Sequence, residues 1–184
     1  VLSVNAVSKS YGGLIALENV TLEVRRGEIL GLIGPNGSGK TTLLGCIAGT
    51  HEPTGGQIAL SGQVLTRLQP HRIARLGVGR TFQTVRLFGN MTVRENVVAA
   101  LSGPETSIGL DQLAVRADTF LEEMGIVHLA GQLAGTLSYG QQRRVEIARA
   151  AALSPAFLLL DEPTAGMNDA ETSVILDTLK RLVR

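Results

Sequence analysis

Apolar and polar positions alternate with a period of two at the start of the chain and change to a helical period further on. Residues 2–7, 20–24, 29–33 and 57–60 carry the alternation or the short apolar runs of strands. Gly12-Gly13, Arg26-Gly27 and Pro53-Thr54-Gly55-Gly56 separate them as turns. From residue 93 onward apolar side chains recur at three and four, which predicts helices over 93–101 and 110–124 with Gly103-Pro104 as a breaker between them. A further helix is predicted over 138–153, an all-apolar strand over 157–160 and an amphipathic helix over 169–182. Fully apolar strands alternating with helices mark an α/β fold whose parallel sheet is covered on both faces. The domain division that follows is a core of 1–83 and 154–184 with a helical subdomain inserted over 84–153.

Composition narrows the picture. In 184 residues, 44% hydrophobic and 18% charged is the balance of a folded domain, so a disordered chain is excluded. The formal net charge is +1 and the basic residues form no block, so no electrostatic case for nucleic acid exists. The single cysteine, Cys46, falls among apolar neighbours on the helix predicted after residue 40, which suits a buried thiol and excludes a disulfide framework. No apolar stretch approaches the length of a bilayer span, and the first residues read as a strand rather than a signal sequence. The expectation is a cytosolic protein unless a partner holds it at a membrane. Val1 stands where a Met is expected, so the chain is also expected to be partial.

The candidate chemistry begins at residue 34. Gly34-Pro35-Asn36-Gly37-Ser38-Gly39-Lys40-Thr41 is a complete G-x-x-x-x-G-K-[ST] string, preceded by the apolar run 29–33 and followed by a predicted helix. Holding a polyphosphate takes several main-chain N–H groups turned inward, and Gly34, Gly37 and Gly39 let the backbone turn that sharply. Lys40 places a compact positive charge on the β- and γ-phosphates, Thr41 offers a hydroxyl to Mg²⁺, and the following helix presents its positive end. A chain with 22 Gly but only three Lys rarely forms this string by chance. It is read as a binder of a nucleoside triphosphate. A second candidate follows the strand 157–160, where Asp161 and Glu162 emerge at the C-terminal edge that binds ligands in α/β proteins. Asp161 is suited to hold Mg²⁺ through its water shell, and Glu162 to orient or deprotonate an attacking water.

Leu137-Ser138-Tyr139-Gly140-Gln141 opens the helix over 138–153, and Ser138 with Gln141 is also an ordinary capping-box pair. With the phosphate loop and the acidic pair, this string makes the chain resemble the ATP-binding cassette (ABC) family over essentially its whole length. The family's signature is usually Leu-Ser-Gly-Gly-Gln, so Tyr139 is a departure, while Ser138 and Gly140 keep the donor groups. The resemblance implies a P-loop NTPase of ABC type, with an N-terminal antiparallel β-subdomain and an inserted helical subdomain. It implies ATP and Mg²⁺ as ligands, held by Gly34 to Thr41 and Thr42, with Tyr11 stacking on adenine. Gln83, in Gly79-Arg80-Thr81-Phe82-Gln83, matches the glutamine that senses Mg²⁺ and joins the subdomains. Ser138, Gly140 and Gln141 would complete the nucleotide site of a second ATPase subunit arranged head to tail. Asn168, in Ala165-Gly166-Met167-Asn168, stands where many relatives have an acid.

Within the family, Gly79 to Phe88, Met91-Thr92-Val93-Arg94-Glu95-Asn96, Ser138-Tyr139-Gly140-Gln141-Gln142-Arg143-Arg144 and Ala165-Gly166-Met167-Asn168 look like the ATPase subunits of branched-chain amino acid importers, of the Arg-Thr-Phe-Gln type. The partners this implies are transmembrane permease subunits and, indirectly, a periplasmic or extracellular solute-binding protein. The location it implies is the cytoplasmic face of the cell membrane. ATPase subunits for urea, amides or lipopolysaccharide export, and soluble cassette ATPases, stay open as alternatives. The family also has a γ-phosphate histidine on a strand after the last helix. His51, His71 and His128 all precede Asp161, so a C-terminal part carrying that histidine and a central sheet strand is expected to be missing.

Overall fold

A long antiparallel hairpin opens the chain in the computed structural model, which describes residues 1–81, 84–102 and 108–183. β1 (Leu2–Tyr11) and β2 (Leu14–Val24) are joined by the two-residue Gly12-Gly13 turn. β1 also pairs antiparallel with β3 (Gly55–Leu60), which carries the short β4 (Gln63–Val64) on its far side, so the sheet order is β2-β1-β3-β4. Strict alternation in β1 would bury positions 2, 4 and 6. Instead Leu2, Val4 and Val7 are buried, because the register slips between Val4 and Val7 and Ala6 takes a positive φ of 45°. That is a β-bulge, which moves the apolar set by one residue and returns it to the core. The strand therefore runs well past the predicted residue 7.

The same unit, Val1–Val78, holds α1 (Lys40–Ile47) and α2 (Pro70–Arg75). α1 buries Leu43, Leu44, Cys46 and Ile47, and α2 buries Ile73. Six residues are too few for α2 to show a helical period, which is why it was not legible in the sequence.

One predicted strand is absent. Residues 29–33 form no strand among the described residues, and their apolar side chains stand in solvent, with Ile33 98% and Ile29 60% exposed. An apolar run specifies burial, but a strand forms only where a second strand offers a hydrogen-bond ladder. No described strand lies alongside this segment.

The second unit spans Gly79–Leu182. β5 (Val78–Arg80) and β6 (Phe157–Leu159) form a two-stranded sheet. α3 (Val93–Leu101), α4 (Leu110–Glu123), α5 (Tyr139–Ala152) and α6 (Asp169–Leu182) follow the predicted periods to within a residue or two. Their apolar stripes meet in one core that includes Val93, Val97, Leu113, Ala117, Leu121, Val145, Ile147 and Ile175. The 3-10 turns Val127–Leu129 and Ala134–Thr136 connect α4 to α5.

Polar contacts fix the loops of this unit. Thr92 and Glu95 form a reciprocal capping box on α3. Asn96 is fully buried; its Oδ1 accepts from the Phe88 N–H at 2.9 Å, and its Nδ2 donates to the carbonyls of Phe88 (3.1 Å) and Thr92 (3.0 Å). One side chain thereby satisfies the main chain entering α3, as a buried amide must. Arg94 joins α3 to α4 through a bidentate pair with Asp118, at 2.7 and 3.1 Å. No helix of the described residues is long and apolar enough to cross a membrane.

Candidate functional site

The phosphate loop lies in the first unit and ends at Gly39, the N-cap of α1. Gly39 has φ 92°, and a Cβ there would stand 2.5 Å from the Ala16 carbonyl oxygen of β2. Only glycine meets both conditions, so the loop's final turn is tied to the sheet by that position. Gly37 is also left-handed, whereas Gly34 is not; it is kept small by Ser38, whose Oγ would lie 2.7 Å from an added Cβ. Alternating left- and right-handed residues turn successive N–H groups to one side and make an anion nest. Among the described residues no side chain caps α1 and none in its first turn is acidic, so its positive end faces the loop unopposed.

Lys40 folds its ammonium back over the loop, donating to the carbonyls of Gly34 (2.7 Å) and Pro35 (2.9 Å). Its charge therefore sits over the loop where a polyphosphate would lie. Asn36, Gly37, Ser38 and Thr41 are exposed, and Thr42 is half-buried at the start of α1. Tyr11 ends β1 at the hairpin turn and is 44% exposed, with the Lys9 ammonium 4.7 Å from its ring centre and the His51 ring edge-on at 6.1 Å. The hairpin that carries Tyr11 is the one whose β2 strand abuts Gly39.

Asp161 and Glu162 lie in the second unit, just past β6. Asp161 is buried, with the Arg80 guanidinium 3.7 Å from its Oδ2, and Glu162 is exposed. Burial pushes the Arg80 guanidinium below its ordinary range, and the Asp161 charge partly restores it. Glu162 has φ 48°, an uncommon left-handed conformation for a residue with a side chain. Its carbonyl accepts from the Ala165 N–H at 3.1 Å, which closes the turn after the strand.

The predicted capping box forms at the start of α5: Ser138 Oγ accepts from the Gln141 N–H at 3.4 Å, and Gln141 Oε1 accepts from the Ser138 N–H at 3.0 Å. Gly140 is buried, and a Cβ on it would meet the Glu171 carboxylate at 2.7 Å. Glu171 is held there by a reciprocal cap at the start of α6, accepting from the Asn168 N–H (3.2 Å) while Asn168 Oδ1 accepts from the Glu171 N–H (2.9 Å). Asn168 thus has a local task that an amide performs as well as an acid. Tyr139, the first residue of α5, is 43% exposed beside Gly166.

Arg143, to which the sequence reading assigns no role of its own, links the start of α5 to the acidic pair after β6. Its guanidinium donates to the carbonyls of Asp161 (2.7 Å) and Glu162 (2.9 Å) from α5. The signal was present in the spacing: Arg143 follows Gly140 by three and precedes Ile147 by four, on the buried face of the helix, where a charge demands partners. Gln83 lies outside the described residues. Among those described, no group of three or more His, Cys, Asp or Glu side chains gathers as a metal cage.

An uncapped helix behind a glycine nest with a lysine over it, in an α/β chain, defines the class as a P-loop nucleotide-binding protein. The family model "ABC transporter" matches residues 17–165, and the chain belongs to that family. It is 44% identical to the high-affinity branched-chain amino acid transport ATP-binding protein LivG of Escherichia coli (strain K12), covering 98% of this chain and 76% of that protein. BraF of Pseudomonas aeruginosa, with the same description, is 43% identical over 100% of this chain and 75% of its own length. Among solved structures, MJ1267, an ATP-binding cassette of an ABC transporter, is similar at a TM-score of 0.88 and 31% identity, over 98% of this chain and 76% of that one. MJ0796, a bacterial cassette solved as a dimer, is similar at a TM-score of 0.88 and 30% identity, over 99% and 82%.

Proposed function

We propose that this chain is the ATP-binding and ATP-hydrolysing subunit of an importer for branched-chain amino acids. The observation that carries the solute class is the identity of 44% and 43% to LivG and BraF across nearly all of the chain. The nest of Gly34 to Gly39 fits a polyphosphate, since left-handed Gly37 and Gly39 turn main-chain N–H groups inward ahead of an α1 N-terminus that no side chain caps. Lys40 would exchange its two loop carbonyls for phosphate oxygens, and Tyr11 would lie against the base. Mg²⁺ suits donors of this kind, a hydroxyl or a single carboxylate, because the ion keeps waters and shares substrate phosphates. By the family resemblance Thr41, Gln83 and Asp161 would hold it, and when bound it would supply positive charge beside the transferred phosphoryl group.

Glu162 stands exposed at the strand edge and orients or deprotonates the water that attacks the γ-phosphate. Ser138, Gly140 and Gln141 carry an N-terminal helix dipole toward the nucleotide of a second cassette, so that two subunits close head to tail on ATP and separate after hydrolysis. The core of 1–83 and 154–184, with the helical subdomain of 84–153, couples that motion to permease subunits at the cytoplasmic face of the membrane. A solute-binding protein on the other side selects the cargo.

The test is reconstitution of the full protein with its permeases and binding protein in vesicles. Leucine, isoleucine or valine should raise ATP turnover and accumulate inside, while urea and short amides should do neither. Stimulation by urea or amides alone would reassign the solute. In the same system Glu162→Gln should bind Mg-ATP, collect as an ATP-bound dimer and turn over at least about 100-fold more slowly; parental turnover would remove Glu162 from the chemistry.

A further inference from the structure

The largest fully buried side chain among the described residues is a charged one, Arg143. Its Nη1 donates to Glu146 Oε2 at 2.6 Å, one turn further along α5, and Glu146 is itself only 2% exposed. Its Nη2 donates to two main-chain carbonyls at once, those of Asp161 and Glu162. These are the consecutive acidic residues of the strand edge, and the second of them sits at φ 48°. A left-handed residue with a side chain persists only where its surroundings over-determine it, and relaxes otherwise.

We propose that Arg143 is a positioning residue for ATP hydrolysis: by gripping the carbonyls of Asp161 and Glu162 it holds Glu162 in its left-handed conformation and fixes where the carboxylate stands. The inference rests on the role given to Glu162 under the proposed function. The guanidinium suits the task because its planar fork offers several donors in fixed directions. Glu146 supplies the partner that a buried cation requires and fixes the plane of the fork. The grip also reaches from the helix that begins with Ser138, so the helix facing a second subunit and the residue acting on water share one rigid attachment. A displacement of about 1 Å in a reacting group can cost about 100-fold in rate, so loss of the grip is expected in kcat rather than in binding.

The experiment uses the full protein in its transporter. Arg143→Met combined with Glu146→Leu removes the hydrogen-bonded pair together rather than stranding one of its two members. Arg143→Lys keeps the charge for Glu146 but offers one nitrogen where two carbonyls need directed donors. Both variants are expected to lower kcat by about 10- to 100-fold while KM and the affinity for a non-hydrolysable ATP analogue stay within about threefold. In a Glu162→Gln background the same replacements should change the residual rate by less than about twofold, because a residue acting through a carboxylate is silent once that carboxylate is gone. Arg143→Lys at the parental rate overturns the inference, and so does an equal slowing with and without Glu162, which marks a general effect on the fold. If the double variant fails to fold, Arg143→Lys alone decides. Parental turnover in Glu162→Gln itself would overturn the role of Glu162 and this inference with it, whereas a slow Glu162→Gln beside a fast Arg143→Lys overturns the inference alone.

Discussion

At Gly39 two demands meet on one residue, a left-handed φ and a neighbouring carbonyl 2.5 Å from where a Cβ would be. Gly39→Ala should therefore cost about 1–3 kcal/mol of stability and abolish the rise in melting temperature that ATP produces. Lys40→Ala should abolish that rise while leaving the melting point without nucleotide nearly unchanged, since the ammonium serves only loop carbonyls in the described structure. Differential scanning fluorimetry with and without Mg-ATP separates the two, and equal nucleotide shifts in Lys40→Ala and parent would contradict the assignment of the loop. Cys46 tests burial at the same scale. Desolvation pushes its thiol above the ordinary range, against a smaller downward pull from Lys9. A thiol reagent at neutral pH should label Cys46 slowly in the native protein and rapidly in denaturant. Because the folded value is raised, the stabilising contribution is present below the unfolded thiol's pKa and is lost as pH rises through the folded one. Rapid native labelling would contradict the packing of α1.

Helix ends carry the next scale. Thr92 and Glu95 cap α3 reciprocally, and the bonds from the Thr92 main chain and hydroxyl hold the exposed Glu95 carboxyl below the usual carboxylate range. Thr92→Ala should cost about 1 kcal/mol. A depressed folded pKa means that the bond contributes above the unfolded value and is lost as pH falls through the folded one, so the variant should lose less stability on acidification than the parent. Denaturant titrations at neutral and mildly acidic pH would show it; parallel curves for the two proteins would remove the cap from the account. The capping box of α5 was legible because Ser-x-x-Gln precedes an apolar period, whereas the one on α3 came from the structure. The cap of α6 by Asn168 is hidden in the sequence, because residues 165–168 match a family loop motif and also supply the helix start.

Across the molecule, the largest departure from the sequence reading is the segment 29–33, apolar throughout yet exposed and without a described strand beside it. Such a patch should bind a hydrophobic dye in the native 184-residue chain. Ile29→Gln with Ile33→Gln should at least halve that signal and change stability by no more than about 0.5 kcal/mol, because neither side chain is buried. Unchanged dye binding would place the exposed apolar surface elsewhere. Leu30 and Leu32 are less exposed than Ile33, so the replacement leaves the better-covered positions intact.

Periodicity alone settled α3, α4, α5 and α6, because each is long enough for its apolar residues to trace a stripe, and the glycine spacing of 34–39 marked the phosphate loop because few other residues can turn that way. The sequence likewise marked Asp161 and Glu162 by their place after an apolar strand. It could not show the bulge at Ala6, the fate of 29–33 or the grip of Arg143 on the carbonyls of Asp161 and Glu162. Each of those depends on which main-chain groups meet across long separations in the chain, and hydrogen-bond partners of that kind are chosen by tertiary packing, not by the residues on either side.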